Sequence, residues 1–205
     1  MLADPDLHWA TGFSARTLAH AWEATGDWPA EVGEILTNAF GRTELLLAIP
    51  EHKTSLPGGR RASQSDVFAL GRHADGLVAC TIEGKVDEPF GPLVGEWLHA
   101  PSPGKVERLD HLCRLLGIAA CPPDVHYQLL HRAGSALIEA ERFHARDAAM
   151  IVHSFSPDRC WFDAWARFVD LLGGRATVGA PVEAWVPRGR LVLGWARGEQ
   201  RFRGM

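Results

Sequence analysis

The sequence predicts an α/β fold in which a mixed sheet is flanked by helices. Three consecutive segments, 45–49, 65–70 and 77–86, are rich in the apolar and β-branched residues that favour strands. Patterns typical of helices follow them, and a fourth apolar segment, 147–155, comes directly after the longest helical pattern. Strands interrupted by helices in this order predict a sheet with helices packed on its faces.

The size and composition of the chain fit one domain. With 205 residues, of which 46% are hydrophobic, the chain can bury a core that folds without disulfides or a structural metal. We therefore predict a single domain over residues 1–205, with a core at about 29–155 and additions at both ends. The chain has no apolar stretch near the roughly 20 residues of a membrane span. Its N-terminus also lacks the regions of a secretory signal, so we expect a cytoplasmic protein without a membrane partner.

The remaining elements follow from helical spacing and from residues that cap or break helices. Ser14 can cap the first helix, Pro29 stands at a tolerated early position of the second, and Gly117 ends another. Pro50 is expected to end the first strand and to leave residues 51–53 in a loop. The predicted helices are 14–25, 29–40, a short one ending near 98, 105–116, 125–143 and 161–172, and the last strand is 190–196.

The longest predicted helix, 125–143, has two distinct faces. Its apolar residues recur at helical spacing and should pack on the sheet. A polar stripe lies beside them, and it is either a solvated face or a functional one. The apolar set is Leu129, Ala133, Ala136, Leu137 and Ala140, and the polar set is Gln128, Arg132, Ser135 and Glu139.

The segments 65–70 and 77–86 form a predicted hairpin, because Asp75-Gly76 between them is a strong turn signal. If Asp75 and Gly76 are the central turn residues, Asp66 lies opposite Lys85. A turn centred one residue earlier places Asp66 opposite Glu83 instead. Because strand side chains alternate between faces, both registers put Asp66 on the face that carries Glu83 and Lys85.

Two carboxylates and an ammonium on one sheet face predict a divalent-metal site. Mg²⁺ and Mn²⁺ take oxygen ligands, which Asp66, Glu83 and the backbone carbonyl of Gly84 could supply. Lys85 would position or help to deprotonate an attacking water and stabilise the developing charge. Without a metal, the lysine would simply pair with the two acids.

This pattern resembles the PD-(D/E)XK nuclease superfamily, whose core has the order αβββαβ. The matching residues are Ser65-Asp66-Val67-Phe68-Ala69-Leu70, then Cys80-Thr81-Ile82-Glu83-Gly84-Lys85-Val86, and then Tyr127-Gln128-Leu129-Leu130-His131-Arg132 on the following helix. Ser65 stands where the motif has proline, and Arg132 stands where the branch related to recombination nucleases has tyrosine. The run from Glu83 to Gly91 is also similar to a bacterial domain family that spans essentially the whole chain and leaves the substrate open.

The resemblance implies a restriction-endonuclease-like sheet and a Mg²⁺- or Mn²⁺-dependent nuclease. Its catalytic residues would be Asp66, Glu83 and Lys85, with Gln128 reaching the scissile phosphate or the attacking water. Nucleic acid, DNA before RNA, would be the partner, and dimerisation is common in such nucleases. Among the arginines, Arg60, Arg61 and Arg72 flank the hairpin and Arg132 lies on the helix, so these four are the candidate phosphate contacts.

Two observations weaken the functional interpretation. With 3 lysines and 25 acidic residues, about 0.4 acid-x-Lys triplets are expected by chance, yet the chain has two. The second triplet, Glu51-His52-Lys53, is the decoy, because it is predicted to lie in a loop. The net charge of −4 does not indicate nucleic-acid binding either, so a catalytically inactive nuclease-like fold that binds nucleic acid or protein is the alternative.

Overall fold

The computed structural model describes residues 14–204. These residues form one six-stranded sheet with α-helices on both faces, which confirms the predicted fold class. The helices are α1 (Ser14–Glu23), α2 (Ala30–Phe40), α3 (Val94–Trp97), α4 (Pro103–Leu116), α5 (Tyr127–Arg142) and α6 (Phe162–Leu171). The strands are β1 (Glu44–Thr54), β2 (Ser63–His73), β3 (Gly76–Lys85), β4 (Asp147–Ser154), β5 (Val182–Val186) and β6 (Gly189–Arg197). A 3₁₀ turn at Gln200–Gly204 follows β6.

The strands lie in the order β1-β2-β3-β4-β6-β5. The first three are an antiparallel meander, whereas β4 pairs parallel with both β3 and β6. A parallel pair needs a crossover connection, and the segment containing α4 and α5 provides the one between β3 and β4. From α2 through β1, β2, β3 and α5 to β4, the structure therefore has the expected αβββαβ order.

The sheet separates two hydrophobic cores. On one face, α4, α5 and α6 pack against the strands through residues such as Leu112, Leu129 and Trp165. On the other face, α1 and α2 do so through residues such as Leu18 and Ile35. All five apolar residues predicted for the packing face of the long helix are buried, which confirms that assignment.

Local signals account for the best-defined helix ends. The hydroxyl of Ser102 accepts a hydrogen bond from the N–H of Lys105 at 3.3 Å, and Pro103 occupies the first turn of α4. Gly117 ends the helix with a φ of 70°, a conformation that favours glycine. No helix among residues 14–204 is long and apolar enough to span a membrane.

Two sequence predictions about strands were wrong. β1 does not end at Pro50 but continues to Thr54, so the decoy triplet lies on a strand. β1 is an edge strand, where a missing backbone N–H is tolerated. β5 was not predicted, because it has only five residues and pairs at the opposite edge, where its side chains alternate between exposed and buried.

Candidate functional site

The hairpin formed by β2 and β3 brings Asp66 next to the segment of β3 that carries Glu83. Its turn is centred on Ala74 and Asp75, and Val67 pairs with Ile82. Of the two predicted registers, this is the one that places Asp66 opposite Glu83, one position beyond the last paired residues. Gly76 begins β3 with a φ of 148°, a conformation that favours glycine. It therefore lies directly after the two central turn residues and is not one of them.

Glu83 is the centre of the site, because three side chains donate hydrogen bonds to its carboxylate. Its Oε1 accepts from Lys85 Nζ and from Gln128 Nε2, each at 2.7 Å. Its Oε2 accepts from Arg132 Nε at 2.5 Å. Lys85 follows on the same strand, whereas Gln128 and Arg132 are one turn apart on α5. The polar stripe of the long helix therefore faces this site at these two positions.

A second layer of contacts holds Arg132 in place. Its NH1 donates to the hydroxyl of Ser63 at 3.2 Å, and Ser63 also contacts Nδ1 of His131 at 2.8 Å. The backbone carbonyl of Arg132 accepts a hydrogen bond from the Thr81 hydroxyl at 3.0 Å. These contacts tie α5 to both strands of the hairpin and fix the guanidinium beside Glu83.

The site is largely closed to solvent. Only 2% of Glu83, 4% of Lys85 and 6% of Arg132 is exposed, while Asp66 and Gln128 are half-buried. Burial alone would raise the pKa of Glu83, but Arg132 and Lys85 outweigh that effect and hold the pKa at about 2. Glu83 is therefore a carboxylate at neutral pH.

The pKa of Asp66 is shifted in the opposite direction from that of Glu83. Burial, followed by the negative charge of Glu83, raises its pKa to about 7, although Arg132 and Lys85 act in the other direction. Burial lowers the pKa of Lys85, but the two carboxylates more than compensate and raise it above its ordinary value. Lys85 is therefore an ammonium at neutral pH and a hydrogen-bond donor.

The donor set determines whether a metal ion could bind here. Among residues 14–204, no group of three or more His, Cys, Asp or Glu side chains is arranged to hold a metal. Asp66 and Glu83 still match the one or two carboxylates that Mg²⁺ commonly takes, since water and substrate oxygens supply its other ligands. Oε1 of Gln128 is buried and has no hydrogen-bond partner within the described chain, so a donor such as water would satisfy it.

The backbone of Gly84 contacts Asp66 through its N–H, which donates to Oδ2 at 2.7 Å. The proposed metal contact of the Gly84 carbonyl remains a prediction. His153 of β4 is the strand partner of Gly84 of β3, and on the face that carries α1 and α2 its Nε2 lies 2.6 Å from Oε1 of Glu31. Sequence reasoning missed Glu31 and Ser63, because neither lies in a recognisable motif.

The four arginines predicted to contact phosphate lie in different places. Arg132 is in the site, and Arg60 and Arg61 are exposed just before β2, at the end of the strand that carries Asp66. Arg72 is six residues from Asp66, or about 20 Å along the strand. It forms an ion pair with Glu44 at 2.6 Å. The structure therefore does not bring Arg72 to the site, since the hairpin is extended and carries that arginine to its other end.

Comparison with known proteins identifies the family of the chain. Searches of curated proteins and of solved structures gave no match. A family model described as a domain of unknown function (DUF6946) matches residues 1–200. Because the match covers nearly all 205 residues and the whole of the site, the chain belongs to the DUF6946 family.

Proposed function

We propose that this protein is a metal-dependent hydrolase of phosphodiester bonds in nucleic acid, of the PD-(D/E)XK nuclease type. The observation that carries the proposal is the buried cluster in which Lys85 Nζ lies 2.7 Å from Glu83, with Asp66 hydrogen-bonded to the neighbouring Gly84. These are the residues that the motif resemblance predicts as catalytic, and Gln128 of α5 donates a hydrogen bond to Glu83. Fold alone would not support an activity, so the proposal depends on these side chains.

Asp66 and Glu83 would hold Mg²⁺ or Mn²⁺ in this pocket. Such an ion supplies charge neutralisation at the phosphate and a lower pKa for the attacking water. Hydrolysis forms a bond from the water oxygen to phosphorus and breaks the bond to the leaving oxygen, which takes up a proton. Because the pKa of Lys85 is raised, its ammonium would orient the water and stabilise negative charge, and would not remove the proton.

Gln128 is suited to orient the attacking water from the side of the helix. Its Nε2 is engaged by Glu83, so the position of the amide is fixed. Its Oε1 has no partner among the described residues and can accept a hydrogen bond from a water in the pocket. Gln128 would thus help to orient a lone pair of that water towards phosphorus.

The exposed side chains of Arg60 and Arg61 would bind the phosphate backbone outside the pocket. They precede β2 by three and two residues, and Asp66 is the fourth residue of that strand. We propose DNA as the first substrate to test and the cytoplasm as the compartment.

A second function is favoured by one specific observation. Both oxygens of Glu83 are hydrogen-bonded, and only 2% of the residue is exposed. A carboxylate satisfied in this way could serve the fold alone, as the centre of a buried polar network. The protein would then be a catalytically inactive member of the fold that binds nucleic acid or protein.

A cleavage assay separates the two functions. The purified protein is incubated with labelled single- and double-stranded DNA and RNA, with Mg²⁺, with Mn²⁺ or with a chelator. We expect cleavage that requires the metal and that falls by at least about 100-fold in Lys85→Ala. Lys53→Ala is the matched control, because Lys53 ends the decoy triplet and is exposed.

Cleavage that persists in Lys85→Ala would show that hydrolysis occurs elsewhere or comes from a contaminant. Absence of cleavage by the parent protein on all four substrates, together with binding to one of them in a mobility-shift assay, would favour the inactive binding protein.

A further inference from the structure

Four ionisable side chains lie close together in the site before any metal is present. Glu83 and Asp66 are the acids, and Lys85 and Arg132 are the buried bases beside them. Arg132 contacts Oε2 of Glu83, while Lys85 and Gln128 share Oε1. The guanidinium therefore holds an oxygen that a metal ion would need. Ser63 supports Arg132 in that position.

A divalent cation that enters this pocket adds two positive charges in a place that little solvent reaches. Charge in such surroundings is unfavourable unless a partner compensates it. A phosphodiester carries one negative charge, and its oxygens match the planar donors of a guanidinium. If Arg132 moves from Glu83 to the phosphate, Glu83 becomes available to the cation, and each charge again faces an opposite one.

We propose that Arg132 is a latch that closes the cation site of the free protein, and that a phosphodiester opens it by binding the guanidinium. This inference rests on the proposed function. It adds that metal and substrate bind cooperatively, because substrate binding to Arg132 frees Glu83 for the metal, and metal binding to Glu83 frees Arg132 for the substrate. Thermodynamic linkage requires that the metal strengthen substrate binding by the same factor.

The test is a titration with Mn²⁺ alone, monitored by electron paramagnetic resonance of the free ion. We expect Arg132→Met to bind Mn²⁺ roughly tenfold more tightly than the parent protein. Arg142→Met is the matched control, because it removes a positive charge from the same helix. Arg142 is exposed, and its NH1 lies 3.7 Å from Oε2 of Glu139. Asp66→Asn shows whether the ion occupies this pocket, since it should weaken binding in both backgrounds.

A second measurement does not depend on the folding of a variant. The parent protein is titrated with Mn²⁺ in the presence of a phosphorothioate oligonucleotide, which is charged, or a methylphosphonate oligonucleotide of the same sequence, which is not. We expect only the charged oligonucleotide to tighten Mn²⁺ binding.

The outcomes distinguish the latch from the proposed function. If the parent binds Mn²⁺ in a manner sensitive to Asp66→Asn, but neither Arg132→Met nor the charged oligonucleotide strengthens binding, the latch is overturned and the metal site stands. If no protein binds Mn²⁺ under any condition, the metal-dependent function fails and the latch with it.

Discussion

Oδ2 of Asp66 accepts a hydrogen bond from the backbone N–H of Gly84 at 2.7 Å, just beyond the last residue pair of the β2–β3 ladder. The carboxylate satisfies a backbone donor of β3 at the point where the pairing with β2 stops. The contact also holds Asp66 beside Glu83, which directly precedes Gly84.

The raised pKa of Asp66 predicts a stability that depends on pH. The carboxyl has a pKa of about 7 in the folded protein and an ordinary value of 3.8. As the pH rises between these values, the unfolded chain loses a proton that the folded protein keeps, so stability falls and the penalty is complete above the folded pKa. Asp66→Asn cannot ionise and should escape this loss.

We expect the melting temperature of Asp66→Asn, relative to that of the parent, to be higher at about pH 8 than at about pH 5. After allowance for partial solvent screening, the change in relative stability should be about 1–2 kcal/mol. Thermal unfolding followed by circular dichroism at both pH values measures it. A constant difference between the two proteins would show that Asp66 has an ordinary pKa.

Removal of the Glu83 carboxylate should strongly destabilise the fold. Glu83→Ala leaves the buried charges of Lys85 and Arg132 without their shared partner, and breaking a buried pair in this way costs about 3–5 kcal/mol. Glu83→Gln keeps one acceptor oxygen and should cost less. Urea unfolding of both variants gives the free energies of unfolding, and equal stability of Glu83→Ala and the parent would contradict the central role of this carboxylate.

Gln128 should affect catalysis more than stability. Gln128→Leu keeps the size of the side chain but loses both the donor to Glu83 and the free acceptor. We expect kcat to fall by about tenfold or more with little change in KM, because orientation of the attacking water matters mainly in the transition state. Steady-state kinetics on the substrate found by the cleavage assay measures both constants. A rise in KM alone would instead assign Gln128 to substrate binding.

The close packing around Gly84 predicts that even a methyl group would disturb the site. A Cβ at Gly84 would lie 3.2 Å from Cδ2 of Leu18 and 3.4 Å from Oδ2 of Asp66. Gly84→Ala should therefore push α1 away from the sheet and cost about 1 kcal/mol. Gly204→Ala is the control, since an added methyl there meets no described atom within 4 Å. Chemical denaturation of both variants checks this, and equal effects would show that α1 yields without strain.

Much of this arrangement was predictable from local patterns. The alternation of strand side chains puts Glu83 and Lys85 on one face, and the contact between these two side chains confirms it. The shared face predicted for Asp66 stays a prediction, because the β2–β3 ladder ends at Val67 and Ile82 and the Asp66 carboxylate lies beside the backbone of Gly84. The apolar spacing of the long helix correctly gave its packing face. These predictions succeeded because the period of a strand or helix is a property of a few neighbouring residues.

Tertiary structure decided the features that depend on distant segments. β1 continues through Pro50 because it lies at the edge of the sheet, and Arg72 is far from the site because the hairpin is long. The contact of Arg132 with Glu83 joins residues 49 positions apart, and it depends on how α5 lies across β3. The sequence alone thus determined which chemical groups share a sheet face. Only the packing of the helix on the sheet decided that the Arg132 guanidinium binds Glu83, because helix position is set by the whole core and not by local periodicity.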